Sequence, residues 1–247
     1  MDAKTPPDAN PVRRKPELPV LDLRVEAVED LHPGLRRLIF SCKGGLPPYK
    51  PGQDLVFMLP TGDGEFGRRH YTIRNQLPDG RFSVDFVLHG ATPGPQFALA
   101  AQPGTLVQAR GPRGRTSLRT DTHNHLFMGD ETGMPAILHM LETLPEGMRA
   151  SAVIEVPSAE WQHAPRVCGD CKIEWLHRNG RPAPSDLLTR HLDGANPQLG
   201  DATAYLLTET GVVRQLRHRL LELGLSKTRI VAEGYWRPGR MGGHDHI

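Results

Sequence analysis

Near residue 121 the apolar pattern of the chain changes, and no fold built from one kind of layer accommodates both patterns. Before the change the sequence reads as short strands separated by turn residues. The candidate strands are 21–28, 35–40, 53–59, 69–74, 82–89 and 105–110. Turns fall at Lys50-Pro51-Gly52, Pro78-Asp79-Gly80 and Gly111-Pro112-Arg113-Gly114. These six strands predict a six-stranded antiparallel β-barrel, interrupted by one helix around 95–101. After the change, strands at 125–129, 150–156, 172–176, 203–208 and 229–236 alternate with helices at 136–142, 185–192 and 212–223. Pro135 suits the first turn of the first of these helices. Repeated βα units predict a Rossmann-like α/β domain with a parallel sheet. The expected divisions are a flexible segment over 1–17, the barrel over 18–120, the α/β domain over 121–234 and a tail over 235–247.

Composition permits this plan and narrows the partners. The 247 residues suffice for one large domain or two modest ones, and 38% hydrophobic residues can fill two cores. A net charge of +2 is too near neutral to demand nucleic acid or a membrane surface. No apolar run reaches the roughly 18 residues of a membrane span. The N-terminus is polar and proline-rich, without an apolar signal core, so a cytoplasmic location is expected. Cys42 stands alone, and Cys168-Gly169-Asp170-Cys171 forms a CxxC flanked by His163 and His177. One CxxC without a second pair is a weak metal signal. An iron–sulfur cluster held by one chain takes about four thiolates, and this chain has 3 cysteines. Gly243-His244-Asp245-His246-Ile247 reads as a short polar end, and no metal site is expected.

The chemistry concentrates in Arg68-Arg69-His70-Tyr71-Thr72-Ile73-Arg74-Asn75. A strand alternates its side chains between two faces. Extended backbone from Arg69 to Arg74 would put Arg69, Tyr71 and Ile73 on one face and His70, Thr72 and Arg74 on the other. A cation, an aromatic ring and a hydroxyl then lie within a few residues. A flavin dinucleotide needs such groups for its pyrophosphate, its ring faces and its isoalloxazine edge. In the second half Asp130-Glu131-Thr132-Gly133 stands where a dinucleotide-type domain carries its glycine loop, and there is no G-x-G-x-x-G. Thr132 either caps the following helix or hydrogen-bonds a ligand. The acidic pair repels phosphate, so this junction is expected to face a ribose or nicotinamide.

A barrel carrying R-x-Y-T-x-R ahead of an α/β domain resembles the ferredoxin-reductase superfamily. Four further stretches narrow the resemblance: Val84-Asp85-Phe86-Val87-Leu88-His89-Gly90, Gly111-Pro112-Arg113-Gly114, Gly129-Asp130-Glu131-Thr132-Gly133-Met134-Pro135-Ala136-Ile137 and Gly234-Tyr235-Trp236-Arg237-Pro238-Gly239-Arg240. In this order they resemble the siderophore-interacting proteins, flavin-dependent ferric-siderophore reductases, over nearly all of the chain after residue 18. The resemblance implies FAD on the barrel and NADPH or NADH on the α/β domain. Arg69, Tyr71 and Thr72 would contact FAD phosphate, ribityl and isoalloxazine, within a cofactor stretch that includes His70 and Arg74. Val87 and His89 would border the flavin, followed by Gly90, Thr92 and Gly94. Tyr235 and Trp236 would close over the flavin. Asp130, Glu131, Thr132, Glu209 and Thr210 would lie on the nicotinamide side, and Arg237 and Arg240 at the pocket mouth. Two stretches depart from the family. Ala91-Thr92-Pro93-Gly94-Pro95-Gln96-Phe97-Ala98 stands for Gly-Pro-Ala-Ser-x-Trp-Ala, with Phe97 in the tryptophan's place and Thr92 the candidate for the serine's. Thr208-Glu209-Thr210-Gly211 stands for a Gly-Glu-Ala/Ser stretch.

The implied chemistry is reduction of an Fe(III)-siderophore to Fe(II), which its oxygen ligands hold less tightly. A flavin takes two electrons from a nicotinamide and returns them singly, so no side chain need act as acid or base. An anionic ferric chelate calls for a basic site, for which Lys50, Arg115, Arg237 and Arg240 are the candidates. Two other readings stand beside this one. The first is a flavin electron-transfer reductase serving a ferredoxin or flavodoxin. The second is a non-enzymatic siderophore carrier with a vestigial flavin site.

Overall fold

The computed structural model describes residues 17–62, 64–166, 169–195, 197, 199–239 and 245–246, the last two by backbone alone. The first half is an antiparallel sheet of β1 (Val20–His32), β2 (Leu35–Cys42), β3 (Asp54–Pro60), β4 (Phe66–Thr72), β5 (Asn75–Gln76), β6 (Phe82–Val87) and β7 (Leu106–Arg113). Its order is β4-β3-β7-β1-β2-β6-β5. The long strands are those expected. β5 is a two-residue pairing with β6, too short to carry an alternation. Just past β4, the Ile73 N–H donates to the Gln53 carbonyl at 3.0 Å and the Arg74 N–H to the Ser83 carbonyl at 2.8 Å. These two bonds stitch one sheet edge to the other and close the barrel. Inside, Phe40, Phe57, Phe82 and Phe86 are fully buried. Helix α1 (Pro93–Ala100) links β6 to β7.

The second half carries β8 (Asn124–Asp130), α2 (Met134–Glu142), β9 (Arg149–Val156), β10 (Asp170–His177), α3 (Leu187–Ala195), β11 (Thr203–Glu209), α4 (Thr210–Glu222), β12 (Ile230–Trp236) and β13 (Asp245–His246). The order is β10-β9-β8-β11-β12-β13. β8 to β12 run parallel, and β13 pairs antiparallel to β12. The central strands are apolar and covered on both faces, as a parallel sheet requires. Val213, Leu216 and Leu220 of α4 are fully buried, following a helical period. From β8 the chain moves outward to β9 and β10, then returns to the other side of β8 as β11. The order reverses between β8 and β11, and that is where a doubly wound sheet opens a crevice past its strand ends.

The tail expected from residue 235 starts two residues later, because Tyr235 and Trp236 complete β12. Thr208 lies opposite Gly234 and Glu209 opposite Trp236, so Tyr235 is an extra residue, a bulge that re-aims the side chains at the strand end. The expectation of disorder before residue 18 falls almost wholly outside the described residues, and Cys168, Arg240 and His244 lie outside them too.

The two halves share one seam. Leu35 and Val87 of the barrel pack into the same apolar cluster as Phe127, Ile137 and Tyr205. Arg74, 5% exposed, donates to both carboxylate oxygens of Glu142 on α2, each at 2.7 Å. The Arg166 N–H adds a third bond to Glu142 at 2.9 Å. Burial opposes ionisation of Glu142, but these donors outweigh it and hold the carboxyl below its ordinary 4.5. One turn earlier on α2, His139 Nδ1 donates to the Ile73 carbonyl at 2.7 Å, and burial holds its pKa below the ordinary value. The Thr116 hydroxyl donates to Glu233.

Arg74→Ala should cost about 3–5 kcal/mol in chemical denaturation, because it strands a buried carboxylate. The sign of the pH dependence follows from the depressed folded-state pKa. The contribution of Glu142 is complete above 4.5 and fades as pH falls below it. The deficit of Arg74→Ala relative to wild type should therefore shrink toward about pH 3. A deficit that stays constant with acidification would count against this pair as its source.

Candidate cofactor site at the seam

β4 sorts its side chains by register. Tyr71 lies opposite Leu55 and Arg69 opposite Phe57, so both share the face of the barrel core. The Tyr71 ring sits 4.1 Å from that of Phe86, and its hydroxyl lies against Gly94, where any Cβ would collide with it. Burial pushes the Tyr71 phenol above its ordinary value, with Arg69 opposing. The Arg69 guanidinium donates to the Arg68 carbonyl at 2.8 Å and lies along Gly67, where a Cβ would stand 2.8 Å from it. Among the described residues no carboxylate pairs with Arg69, whereas Arg37, Arg74 and Arg178 each have one.

Across from Arg69 and Tyr71 is the start of α1. Thr92, its N-cap, makes no side-chain capping bond, and Pro93 and Pro95 have no N–H to offer. The Gly94 N–H and the Thr92 hydroxyl therefore remain for a ligand at the positive end of the helix. Phe97, standing for the expected tryptophan, packs 6.0 Å from the Phe86 ring. Val87 ends β6 opposite Leu35. His89 and Gly90 lie exposed in the following link, where Gly90 has φ +64°. A guanidinium without a carboxylate partner, a phenol, a hydroxyl and an amide on β4 and the facing start of α1 have the chemistry that the diphosphate and ribityl of a dinucleotide need.

The other face of β4 serves the seam. His70 Nδ1 is 2.5 Å from Asp54 Oδ2, and the Thr72 hydroxyl is 3.5 Å from that of Tyr235. Alternation was expected to run on to Arg74. It stops at Thr72, because residues 72–74 cross from β3 to β6 with protein on both sides, and all are buried. Arg74 is thereby committed to Glu142 and presents no open cation to a ligand. His70 is likewise engaged by Asp54.

At the crevice, Asp130 ends β8. Its Oδ1 accepts from the Thr132 N–H at 2.9 Å, the Thr132 hydroxyl at 2.5 Å and the Gly133 N–H at 3.4 Å. Its Oδ2 accepts from the Thr208 hydroxyl and from Trp236 Nε1, both at 2.7 Å. Thr132 therefore neither caps α2, whose N-cap is Gly133, nor leaves its hydroxyl open. Glu131 is gripped by Arg178 at 2.6 and 2.9 Å, and Arg178 also reaches Glu155 at 3.0 Å. Burial pushes the Glu131 carboxyl up while Arg178 pulls it back. The acidic junction repels anions less than its sequence suggests, because a guanidinium is built into it. Glu209 caps α4, accepting from Gly211 N at 2.7 Å and Val212 N at 2.9 Å. Thr210 donates to the Trp236 carbonyl at 3.1 Å. Sequence reasoning missed Arg178, Glu142 and Asp54. Only Asp54 carries a local signal, an acid opening an apolar run.

Of the expected substrate cations, Lys50 and Arg115 are exposed. Gln53 brings their turns together, accepting from Lys50 N at 2.9 Å and donating to the Gly114 carbonyl at 3.2 Å. Arg237 is half-buried after β12, and Arg240 lies outside the described residues. Among the described residues no group of three or more His, Cys, Asp or Glu side chains is placed to hold a metal. Cys171 is disulfide-bonded and Cys42 is a free thiol. Among the same residues no helix is long and apolar enough to cross a membrane.

Two family models match the chain. The siderophore-interacting FAD-binding domain covers residues 46–116 and the siderophore-interacting protein model covers residues 122–239. The chain belongs to the siderophore-interacting protein family. It is 30% identical to the ferric vibriobactin reductase of Vibrio cholerae over 70% of its own length and 65% of that protein's. It is 26% identical to the NADPH-dependent ferric-chelate reductase of Escherichia coli K12, over 92% of this chain and 96% of that one. A siderophore utilization protein from T. fusca superposes with a TM-score of 0.80 at 27% identity, covering 92% and 96% of the two chains. The barrel is thus the FAD-binding domain.

Arg69→Ala should weaken FAD binding roughly ten- to hundredfold for each phosphate hydrogen bond it removes. Gly94→Ala should also lower FAD affinity, by forcing the Tyr71 hydroxyl out of place. Flavin titration of the apoprotein measures both, and wild-type affinity in Arg69→Ala would remove that residue from the site.

Proposed function

We propose that this protein is an FAD-dependent ferric-siderophore reductase that draws electrons from NADPH or NADH and acts in the cytoplasm. The observation that carries the proposal is the meeting of Thr72 and Tyr235 at 3.5 Å. It brings the end of the flavin strand to the end of β12, beside the crevice between β8 and β11. A nucleotide in that crevice and a flavin on β4 would then be neighbours. Bound FAD supplies the exchange between a two-electron donor and a one-electron acceptor. The chain's own residues bind and orient. Arg69, Tyr71, Thr92 and the Gly94 N–H take the diphosphate and ribityl, Val87, His89 and Gly90 border the ring, and Thr72 and Tyr235 face its edge. Asp130, Glu131, Thr132, Glu209 and Thr210 shape the nucleotide crevice as walls fixed by their internal bonds. Lys50 and Arg115, with Arg237 and Arg240, attract an anionic chelate.

The relatives' activities support this reading as a class. The match to the Vibrio cholerae reductase spans 65% of that protein, so the particular siderophore is not carried over with it. The test is steady-state release of Fe(II) from a ferric catecholate by the flavin-loaded protein, followed with a ferrous chelator. NADPH, NADH and a reduced ferredoxin serve in turn as donors. Saturable reduction by a nicotinamide nucleotide is expected. The combined change Lys50→Ala, Arg115→Ala should raise KM for the chelate and flatten the salt dependence of the rate. Reduction only with ferredoxin would reassign the donor, and Fe(II) release from none of the three would overturn the proposal.

A further inference from the structure

The five donors around Asp130 give this acid a role that its place in the crevice does not suggest. A carboxylate lying open at the end of a central strand would be read as a direct contact to a ribose or nicotinamide. Here it is 3% exposed and both oxygens are taken. Oδ1 is fixed by the backbone that starts α2, through Thr132 and Gly133. Oδ2 faces the Thr208 hydroxyl and, from the end of β12 two strands away, the indole N–H of Trp236. The Trp236 residue is held a second time, where its carbonyl accepts from Thr210. Gly234 lets that happen, since a Cβ there would overlap the Thr210 hydroxyl. The bulge at Tyr235 completes the arrangement: Tyr235 meets β4 while Trp236 meets β8.

We propose that Asp130 is a positioning residue that acts through Trp236. Its carboxylate latches the indole across the crevice and fixes the wall against which a nicotinamide nucleotide binds. This rests on the reductase reading for its nucleotide, but the latch itself is a property of the protein without any ligand. The polarity of the cluster makes the role specific to a carboxylate. Hydroxyls can turn to accept, whereas backbone and indole N–H groups cannot. In Asp130→Asn the amide nitrogen must face either the α2 amides or the indole. The amides are locked by the helix, so the indole is the group displaced.

The experiment uses Asp130→Asn, Trp236→Phe, their double variant and Thr208→Val. In the flavin-free protein, the indole Nε1–H NMR signal of Trp236, assigned by its loss in Trp236→Phe, should move in Asp130→Asn to the position of a water-exposed indole. In the flavin-loaded protein, Asp130→Asn and Trp236→Phe should each raise the apparent KM for NAD(P)H about tenfold, the scale of one charge-assisted hydrogen bond, with kcat less affected. The double variant should be no worse than either, since the two act as one unit. Thr208→Val, which leaves the indole bond in place, should keep the wild-type KM. An unmoved indole signal, or KM effects that multiply in the double variant, would overturn the latch. If Asp130→Asn does not fold, the comparison of Trp236→Phe with Thr208→Val decides: equal KM effects refute the proposal, and an effect in the first alone supports it. A wild-type protein that binds no flavin or oxidises no NAD(P)H would sink the reductase reading, while the NMR comparison would still judge the latch.

Discussion

The buried fork of Arg74 on Glu142 fixes the geometry on which the site depends. Two charges taken out of water are worth keeping only when both are fully matched, so the pair tolerates little displacement. Arg74 lies two residues past the end of the flavin strand, and Glu142 is the last residue of α2. A nine-residue helix is a rod of about 13 Å. Its far end carries Gly133 and, just before it, the Asp130 junction. Clamping one end of α2 to the barrel therefore sets how far the crevice lies from β4. The apolar cluster through Leu35, Val87 and Phe127 adds adhesion without direction, and the ion pair and the His139 bond supply the direction.

The same crevice shows how charge can be present in a sequence and absent from a surface. Asp130, Glu131 and Glu209 gather at the ends of β8 and β11, which would make a repellent rim if they were free. Each is matched: by the Thr208 hydroxyl and the Trp236 indole, by a guanidinium, and by the amides of α4. Arg69 is the opposite case, a cation for which the described protein provides no acid. The electrostatic contrast between β4 and the crevice comes from partner assignment, while composition alone puts the net charge near zero.

Much of this was legible in the residues. The barrel strands follow from alternation, and the change near residue 121 to strands and helices marks the second sheet. The motif residues fall on β4, in the link to α1, and at the ends of β8 and β12. What escaped is pairing at a distance. Arg74 and Glu142 are 68 residues apart, and Trp236 and Asp130 are 106 apart. A periodicity records which way a side chain points, and carries no information about what it will meet. Thr132 and Glu209 illustrate the limit, since each sits in an expected position with its polar atoms already engaged by neighbours. Arg178 gave no local sign, being one of many charges in a polar loop.

The extra residue in β12 turns chain length into a counted quantity at this point. Side chains in a strand swap faces whenever a single residue is removed or added. Removing one residue just before Tyr235 would carry the indole toward the barrel and the phenol toward β8. Neither would find its partner, because Thr72 and Asp130 stand on different sheets. A change of one residue in the length of β12 before Trp236 thus rearranges the cofactor pocket, whereas a side-chain exchange leaves the register of the strand as it is.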